Sequence, residues 1–294
     1  MSADPVRPSV CTAAVLSHEG RGAGYRLLRL SAPAVAAAAA PGQFVHLRVP
    51  ALEAGALRRP FSICDADPAT GELAILYKEV GRGTAAMASL APGDGVDLMG
   101  PLGHGFPLPP PEATPLLVGG GYGVAPLYFL ARSILARAKS KSLEGRKNDH
   151  PTTPPPNHPT IHLFVGGRTA ADLLLLDEFR ELGVEVHPAT NDGSLGAKGL
   201  VTVPLDAFLS ERRGDHAFRP VLYACGPAPM LRALDGRALA GGFPAWLSLD
   251  RRMACGVGAC CGCAQKVSGP DGAVRVAMVC SDGPVFPQGS VVWD

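Results

Sequence analysis

Four cysteines near the end of the chain have a spacing that suits metal-bound electron transfer. Four residues separate Cys255 from Cys260, two separate Cys260 from Cys263, and sixteen separate Cys263 from Cys280. This C-x4-C-x2-C…C pattern is typical of the thiolate ligands of a plant-type [2Fe-2S] cluster. Glycines between the cysteines allow a tight loop whose backbone N–H groups can point at the sulfur atoms. We therefore predict an iron–sulfur site on these four residues.

The same cysteines admit other interpretations. A structural zinc site is one, although such sites commonly use two close C-x2-4-C pairs, and this sequence has one close pair followed by a distant cysteine. Inert buried thiols are another. Cys261 is an additional thiol that we expect not to be a ligand, because adjacent side chains diverge; a register in which it replaces a neighbour stays open. Disulfides are not expected, because the N-terminus lacks the pattern of a secretory signal and so predicts a reducing cytoplasm.

A second set of residues could bind a flavin. The strand "RRPFSICD" contains Arg59, Pro60, Phe61 and Ser62, and this Arg-x-aromatic-Ser form resembles ferredoxin-reductase-type flavin domains. A guanidinium can pair with a pyrophosphate, an aromatic ring can cover the isoalloxazine, and a hydroxyl can hydrogen-bond flavin N5. We therefore expect Ser62 to be catalytic. The alternative is a barrel strand with one exposed arginine.

A glycine-rich turn further along could hold the phosphates of the same flavin. In "LYKEVGRGTAAM", Gly81, Gly83 and Thr84 open a predicted helix over residues 84–90. The free backbone N–H groups at a helix N-terminus bind phosphate, and the threonine adds a hydroxyl. The preceding strand is expected to flank the flavin with Leu76, Tyr77 and Lys78.

A third glycine-rich segment predicts a dinucleotide site. The sequence "LLVGGGYGVAPLYFL" places glycines directly between an apolar strand and an apolar helix, which is the context that dinucleotide binding requires. Its form departs from G-x-G-x-x-G, because Pro126 stands near the helix start, as in ferredoxin reductases. The glycines predicted to bind the nucleotide are Gly119, Gly120, Gly121 and Gly123.

A turn after the last predicted parallel strand could reach the nicotinamide. Ligands bind beyond the carboxyl ends of such strands, and "YACGPAPML" places Cys225, Gly226 and Pro227 there. In reductases of the type resembled above, this turn lies beside the site of hydride transfer, so we expect Cys225 to be catalytic. An ordinary buried thiol is the alternative. Arg168, which follows another strand, could approach the adenosine side of the nucleotide.

The hydrophobic pattern predicts the elements that position these residues. Short alternating runs separated by Gly and Pro predict an antiparallel β-barrel for FAD over residues 8–110, with one helix. Strands alternate with helical patterns over residues 111–242, which predicts a doubly wound parallel sheet that binds NAD. Residues 243–294 predict a small β-rich [2Fe-2S] module. The charged and Pro-rich stretch 139–160 predicts a disordered or extended surface insertion without chemistry.

Composition argues against several other classes of function. The chain has 294 residues, 47% of them apolar, with 27 Lys and Arg against 26 Asp and Glu. This balance gives no basic surface for nucleic acid or an anionic membrane. The longest alanine-rich run, bounded by Pro33 and Pro41, is too short to cross a bilayer. We expect a cytoplasmic protein that binds neither nucleic acid nor membrane.

As an ordered set, the motifs resemble the electron-transfer subunits of type B dihydroorotate dehydrogenases, which are ferredoxin-NAD(P) reductase-like iron–sulfur flavoproteins. Single motifs of this kind occur in many reductases, but their order, with the cluster at the C-terminus, is specific. The resemblance runs from about residue 8 to the end of the chain, apart from residues 139–160. It rests on the segments "RRPFSI", "LYKEVGRGT", "GPLGHGF", "GGGYGVAPLY", "ACGPAPML", "RMACGVGACCGC" and "CSDGPVF".

The resemblance implies cofactors, a partner and an electron path. It implies FAD at positions 59–62, 76–78 and 83–84, a [2Fe-2S] cluster on the four spaced cysteines, and NAD+ as the final acceptor. It also implies a heterotetramer with two copies of an FMN-containing catalytic subunit, which oxidises dihydroorotate in pyrimidine (UMP) biosynthesis. FAD is needed in this path because it converts single electrons from a cluster into a hydride.

Departures from the family pattern concern the partner contact more than the cofactors. Arg251 stands where an acidic residue is common, and His104 stands where an asparagine is expected. Arg251 is expected at or near the partner surface if the partner docks over the cluster module.

Other functions fit the same architecture. The chain could be the electron-transfer subunit of another NAD(P)H-linked complex, of the ferredoxin-NADP oxidoreductase, sulfide dehydrogenase or hydrogenase type. A redox sensor without enzymatic activity is a rival of a different class. An enzyme with its own organic substrate is disfavoured, because no stretch beyond the three predicted modules is left to form a substrate domain.

Overall fold

The computed structural model describes residues 8–48, 57–145 and 159–293. Its N-terminal strands are β1 (Ser9–Gly20), β2 (Tyr25–Ser31), β3 (Phe44–Arg48), β4 (Arg59–Asp67), β5 (Glu72–Lys78) and β6 (Gly95–Leu102). They form a closed antiparallel barrel in the order β1–β2–β5–β4–β3–β6, which confirms the predicted barrel. Val45, Leu47 and Ile63 lie in its core with no exposed surface.

Two helices belong to the barrel, and the prediction of a single helix is wrong. The helix α1 (Pro33–Ala38) precedes the expected helix, which is α2 (Arg82–Ala88). Pro33 lies in the first turn of α1, where a missing N–H costs no hydrogen bond, and alanine has a high helix propensity. Burial of Val35 and Ala36 holds this turn against the barrel. An alanine-rich segment of 6 residues shows too little periodicity to predict a helix.

The middle of the chain forms a large sheet with helices. Its strands are β7 (Thr114–Gly120), β8 (His162–Gly167), β9 (Glu185–Thr190), β10 (Ala197–Lys198), β11 (Pro220–Cys225), β12 (Ala245–Ser248) and β15 (Val285–Pro287). The order is β10–β9–β8–β7–β11–β12–β15, and each neighbouring pair is parallel except β12 with β15. This confirms the predicted parallel sheet. The helices are α3 (Ala125–Gly145), α4 (Leu176–Glu181), α5 (Thr202–Glu211) and α6 (Ala228–Gly241).

The helices differ from the sequence pattern in three places. The apolar stretch 170–182 predicts one helix, but it contains a short 3-10 turn and then α4, with Leu175 at φ +59° between them. The helix α5 has no counterpart among the predicted elements. The helix α3 continues to Gly145, so residues 139–145 of the predicted disordered insertion are helical, and residues 146–158 lie outside the described residues.

The C-terminal module is small and packs on the other two parts. Its own strands, β13 (Ala264–Ser268) and β14 (Val274–Met278), pair as an antiparallel two-stranded sheet. The strands β12 and β15 of the predicted module 243–294 belong to the large sheet. We keep the division into residues 8–110, 111–242 and 243–294 as a proposal in which the last part shares these two strands with the nucleotide domain.

Hydrogen bonds and ion pairs join the three parts. The Lys78 ammonium on β5 lies 3.3 Å from the Asp172 carboxylate of the nucleotide domain. In the "GPLGHGF" loop, the backbone N–H of His104 donates to the carbonyl of Gly283 over 2.6 Å, so this loop has a structural role. Within the described residues, no helix is long and apolar enough to cross a membrane.

Candidate cofactor sites

A cavity of about 480 Å³ lies where the barrel, the nucleotide domain and the C-terminal module meet. Most residues that the sequence predicted to bind FAD or NAD line it, and the structure brings together motifs that are far apart in the chain. The predicted residues in its wall are Arg59, Pro60, Phe61, Ser62, Leu76, Tyr77, Lys78, Thr84, Gly120, Gly123, Cys225, Gly226 and Pro227.

The barrel side of the cavity opens where two strands separate. The strands β4 and β5 pair from Asp67 and Glu72 as far as Ile63 and Ile75. Beyond that point residues 59–62 of β4 pair with β3, while residues 76–78 of β5 pair with β2. The two segments therefore leave backbone groups facing a gap that neither fills, which suits a bound planar cofactor.

Arg59 packs directly on the turn that begins α2. A side chain at Gly83 would collide with the Arg59 guanidinium, so only glycine allows this contact. The Thr84 hydroxyl accepts hydrogen bonds from the N–H groups of Val80 and Gly81, over 2.8 and 3.1 Å. This hydroxyl therefore shapes the turn, and its role as a phosphate ligand stays a prediction. The positively charged guanidinium and the N–H donors of the turn are the groups here that suit a pyrophosphate.

The side chains of residues 76–78 have partners of their own. The Tyr77 hydroxyl lies 3.0 Å from Nε2 of His18, and its ring meets Phe61 edge-on with centroids 5.9 Å apart. Lys78 lies over the ring of Tyr25 at 4.1 Å and pairs with Asp172. Lys78 thus ties the barrel to the nucleotide domain while its backbone borders the cavity.

The nucleotide side of the cavity is made by two turns in close contact. A Cβ on Gly120 would lie 2.9 Å from Cδ of Pro227, and one on Gly123 would collide with the carbonyl of Cys225. The absence of side chains here therefore lets the glycine-rich turn after β7 approach the Cys-Gly-Pro turn after β11. Of the predicted residues, Gly83, Gly119 and Gly121 do not line the cavity. Gly119 is instead packed against Val124 of the following 3-10 turn and Leu127 of α3.

The Cys225 thiol lies in a buried polar corner of the cavity. Burial raises the pKa of this thiol to about 12, while a hydrogen bond with Ser248 opposes the rise. Cys225 is therefore a neutral thiol and not a nucleophile or base at neutral pH. Such a group can contact a nicotinamide without reacting.

Asp250 and Tyr122 complete this corner, and sequence reasoning missed both. The Tyr122 hydroxyl donates to the Asp250 carboxylate over 3.3 Å, and both residues line the cavity. Burial raises the pKa of Asp250, while Tyr122 and Arg251 act to lower it. A single acidic residue after a short strand carries no pattern that distinguishes it, so its position just before the cysteine segment was the sole available signal.

The four predicted ligand cysteines come together as two pairs. Cys260 lies beside Cys255 and donates its backbone N–H to the Cys255 sulfur, and Cys280 does the same to the Cys263 sulfur, each over 3.4 Å. The backbone N–H of Gly258 also points at a sulfur, that of Cys280, over 3.0 Å. Burial works to raise the pKa of Cys255, but N–H groups of the loop outweigh it and lower the pKa to about 6. The loop is therefore built to stabilise negative sulfur.

The separation of the two pairs distinguishes between metals. Tetrahedral zinc with four thiolates holds all of its sulfurs within about 3.8 Å of one another, since each Zn–S bond is about 2.3 Å. Among the described residues, the one group of three or more candidate ligand atoms lying within 4.8 Å of each other is His162, Glu185 and His187, without any cysteine. Two cysteine pairs instead fit the two irons of a [2Fe-2S] cluster, which carry four thiolates in total.

The remaining residues of the cluster segment divide between surface and interior. Cys261 is exposed at φ +57°, and its sulfur accepts none of the backbone N–H hydrogen bonds found at Cys255, Cys263 and Cys280. Arg251 is half-buried, lines the cavity, and donates through Nε to the Oε1 atom of buried Gln265 over 3.1 Å. Its guanidinium therefore anchors β13 beside the cavity.

Comparisons with known proteins agree with this geometry. Three family models match successive parts of the chain: an oxidoreductase FAD-binding domain at residues 13–106, an oxidoreductase NAD-binding domain at 117–235, and the iron-sulfur cluster binding domain of dihydroorotate dehydrogenase B at 250–292. The electron transfer subunit of dihydroorotate dehydrogenase B (NAD(+)) from Geobacillus kaustophilus is 44% identical over 254 residues, covering 86% of each chain. The chain belongs to the family of dihydroorotate dehydrogenase B electron transfer subunits.

Other members and relatives of this dihydroorotate dehydrogenase B family fit the same assignment. The subunit of the same name from Bacillus caldolyticus is 44% identical over 257 residues and 86% of each chain. A solved NADH-dependent reduced ferredoxin-NADP oxidoreductase, studied for flavin-based electron bifurcation, has 30% identity and a TM-score of 0.75 over 97% of this chain and 91% of that one. As a member of the family, the chain is an iron–sulfur flavoprotein oxidoreductase with domains for FAD, NAD and the cluster.

Proposed function

We propose that the chain passes electrons from an FMN-containing dihydroorotate dehydrogenase subunit to NAD+, through a [2Fe-2S] cluster and FAD. The observation that carries this function is the placement of the cluster loop beside the large cavity. Met253 and Pro284, which flank the cysteines in sequence, line the cavity. Cys263 and Cys280 pack in the same apolar cluster as Phe44, which is also in the cavity wall. A flavin in the cavity and a cluster in the loop would thus share one wall.

The proposed flavin site uses the separated ends of β4 and β5. We assign Arg59 and the turn at Gly83 and Thr84 to the pyrophosphate, because they bring a guanidinium and free N–H groups to one place. Phe61 and Ser62 come next along β4 and line the cavity, which supports a position beside the isoalloxazine. When bound, FAD supplies the exchange between single electrons and a hydride.

The proposed hydride site lies at Cys225. Its neutral thiol, the Tyr122 ring and the Asp250 carboxylate border the same cavity as Ser62. Hydride transfer needs no protein base, so a thiol with a pKa of about 12 suits contact with the nicotinamide. Gly120 and Gly123 line the same cavity at the carboxyl ends of the parallel strands, which supports a dinucleotide there.

The two cysteine pairs and their surroundings support cluster ligation and partner docking. We assign Cys255 and Cys260 to one iron and Cys263 and Cys280 to the other. Cys260 is exposed, and so is Val257 at 49% of its surface, so a partner can approach the cluster edge directly. Exposed apolar side chains around a redox centre fit a protein contact. The chain is proposed to act in the cytoplasm, in a heterotetramer with two copies of the catalytic subunit.

Co-expression with a type B catalytic subunit tests this function. The complex should contain FMN, FAD and two irons per electron transfer subunit, with NAD+ reduced at the expense of dihydroorotate. Each turnover takes two electrons and two protons from dihydroorotate and gives orotate, NADH and one proton. A chain that binds FAD and the cluster but supports no such reaction with any catalytic subunit would contradict the proposal.

A second candidate function has one observation in its favour. The likeness to the ferredoxin-NADP oxidoreductase structure spans 97% of the chain, so the same electron path can serve a larger complex. Purification of the chain from its source together with its bound partners distinguishes the two functions. Co-purification of an FMN subunit that oxidises dihydroorotate would support the first function. A larger multi-cluster flavoprotein would support the second.

A further inference from the structure

A buried histidine faces the cluster loop without a hydrogen-bond partner. His46 on β3 has no exposed surface, and neither of its ring nitrogens has a hydrogen-bond partner among the described residues. A buried imidazole carries one N–H donor and one acceptor, and leaving both unpaired is costly. Such a group in a folded protein calls for a partner that the described residues do not supply.

The histidine ring points its polar edge at the loop between two ligand cysteines. A Cβ placed on Gly256 would lie 2.9 Å from Cε1, 3.0 Å from Nδ1 and 3.1 Å from Nε2 of His46. These three atoms are the edge of the ring that bears both nitrogens. Gly256 has φ +74°, a conformation that favours glycine, and it directly follows Cys255. The loop thus approaches the imidazole closely at Gly256, a residue without a side chain.

The position of His46 also connects the two cofactor sites. Along β3, Val45 and Leu47 point into the barrel core, whereas Phe44 and His46 lie on the opposite face, with ring centroids 5.6 Å apart. Phe44 lines the large cavity and belongs to the same apolar cluster as Cys263 and Cys280. His46 is therefore on the barrel face that the cluster module covers.

We propose that His46 is a positioning residue for the [2Fe-2S] cluster, whose ring N–H donates a hydrogen bond to cluster or cysteine sulfur held by the loop around Gly256. A hydrogen bond to these sulfurs stabilises the more negative, reduced cluster and so raises its reduction potential. The donor is a neutral imidazole, because burial and the nearby Arg58 charge lower the pKa of His46 to about 4.

Redox titration of the purified holoprotein, followed by electron paramagnetic resonance, tests this role. His46→Phe keeps a ring but removes the donor, so the cluster should become reducible only at lower potential, while the flavin potential measured in the same titration stays unchanged. His46→Asn places an N–H near Nδ1 and His46→Gln places one near Nε2. One of the two should restore the potential and so identify the donating nitrogen.

A matched control separates this effect from the loss of any buried histidine. His162 is also buried, packs on Phe208 with ring centroids 4.4 Å apart, and belongs to the nucleotide domain. His162→Phe should leave the cluster potential at the wild-type value. A wild-type potential in His46→Phe would overturn the proposal, and so would a lowered potential that neither amide variant restores.

A measurement on the unmutated protein covers the case in which the variants lose the cluster. With ¹⁵N-histidine and reduced cluster, electron-nuclear double resonance should show a histidine nitrogen and an exchangeable proton coupled to the cluster. Absence of both couplings overturns the proposal. The inference rests on the proposed cluster, and the two can be contradicted separately. A wild-type protein without any cluster signal would contradict the proposed function. A cluster signal without these couplings would contradict only the role of His46.

Discussion

Cys225 and Cys261 are thiols outside the proposed ligand set, and their surroundings give them different chemistry. Cys225 is buried beside Ser248 and Asp250, and burial raises its pKa from 9.0 to about 12. Cys261 is exposed in the cluster loop. A raised pKa means that the thiolate is absent below pH 9 and forms as the pH rises toward 12. The two thiols should therefore differ in reactivity at neutral pH.

Alkylation of the holoprotein with iodoacetamide at pH 8 checks this difference. Cys261 should be modified and Cys225 should remain unmodified, because the thiolate is the reactive form and the buried Cys225 thiol is protonated at this pH. The sites are read by peptide mass spectrometry. Protein unfolded in urea is the control and should be modified at both. Modification of Cys225 in the folded holoprotein would show that its environment is not the one described.

The flavin site depends on how the helix α2 packs against the strand β4. Gly83 allows the first turn of α2 to contact the guanidinium of Arg59, which is fixed where β4 leaves β5. The two residues are therefore expected to act through one contact, although they lie on different elements.

A double-mutant comparison tests this coupling. Arg59→Ala should weaken FAD binding about 10- to 100-fold, because it removes charge-assisted hydrogen bonds to the pyrophosphate. Gly83→Val should have a similar effect by displacing the guanidinium, and adding it to Arg59→Ala should cost little more. FAD affinity is measured by fluorescence of the released flavin. Arg58→Ala is the matched control, since Arg58 pairs with Asp97 at 2.8 Å and is outside the cavity wall. Fully additive losses would contradict the shared contact.

The sequence predicted the site residues whose type is required by the chemistry. It did not predict residues whose role depends only on where the fold places them. Spaced cysteines, the Arg59 to Ser62 strand and the glycine turns each carry a local pattern, and the structure brings most of them to one cavity. Asp250 carries no such pattern, because a single carboxylate acquires its role only from Tyr122, which is distant in the chain. The helix α5 was not predicted, and the predicted helix over 170–182 is interrupted at Leu175. In these segments the tertiary packing of leucines outweighs the local periodicity of the sequence.

In the whole molecule, one face of the cluster module packs on the barrel and another face is exposed to solvent. Cys263 and Cys280 are buried, whereas Cys260 and Val257 are exposed. Electrons can therefore enter from a partner on the exposed side and leave toward the flavin cavity on the buried side. The partner surface is expected to include the exposed part of the loop.

A pair of valine variants tests this surface. Val257→Glu should weaken binding of the catalytic subunit at least about tenfold, because it places a charge in an apolar contact. Val203→Glu on α5 is the control, since Val203 is likewise 49% exposed and lies in the nucleotide domain. Binding is measured by calorimetry, and NADH reduction of FAD should be normal in both. Equal binding by the two variants would place the partner elsewhere.

The electron path is tested most directly by rapid mixing of the assembled complex with dihydroorotate. The variant is Cys260→Ser and the control is Cys261→Ser. Cys260→Ser should lose the cluster, so that dihydroorotate reduces FMN in the partner while FAD stays oxidised, although NADH still reduces FAD at the normal rate. Cys261→Ser should keep the cluster and behave as wild type. Reduction of FAD by dihydroorotate at the wild-type rate in cluster-free Cys260→Ser would contradict the path from cluster to flavin to NAD+.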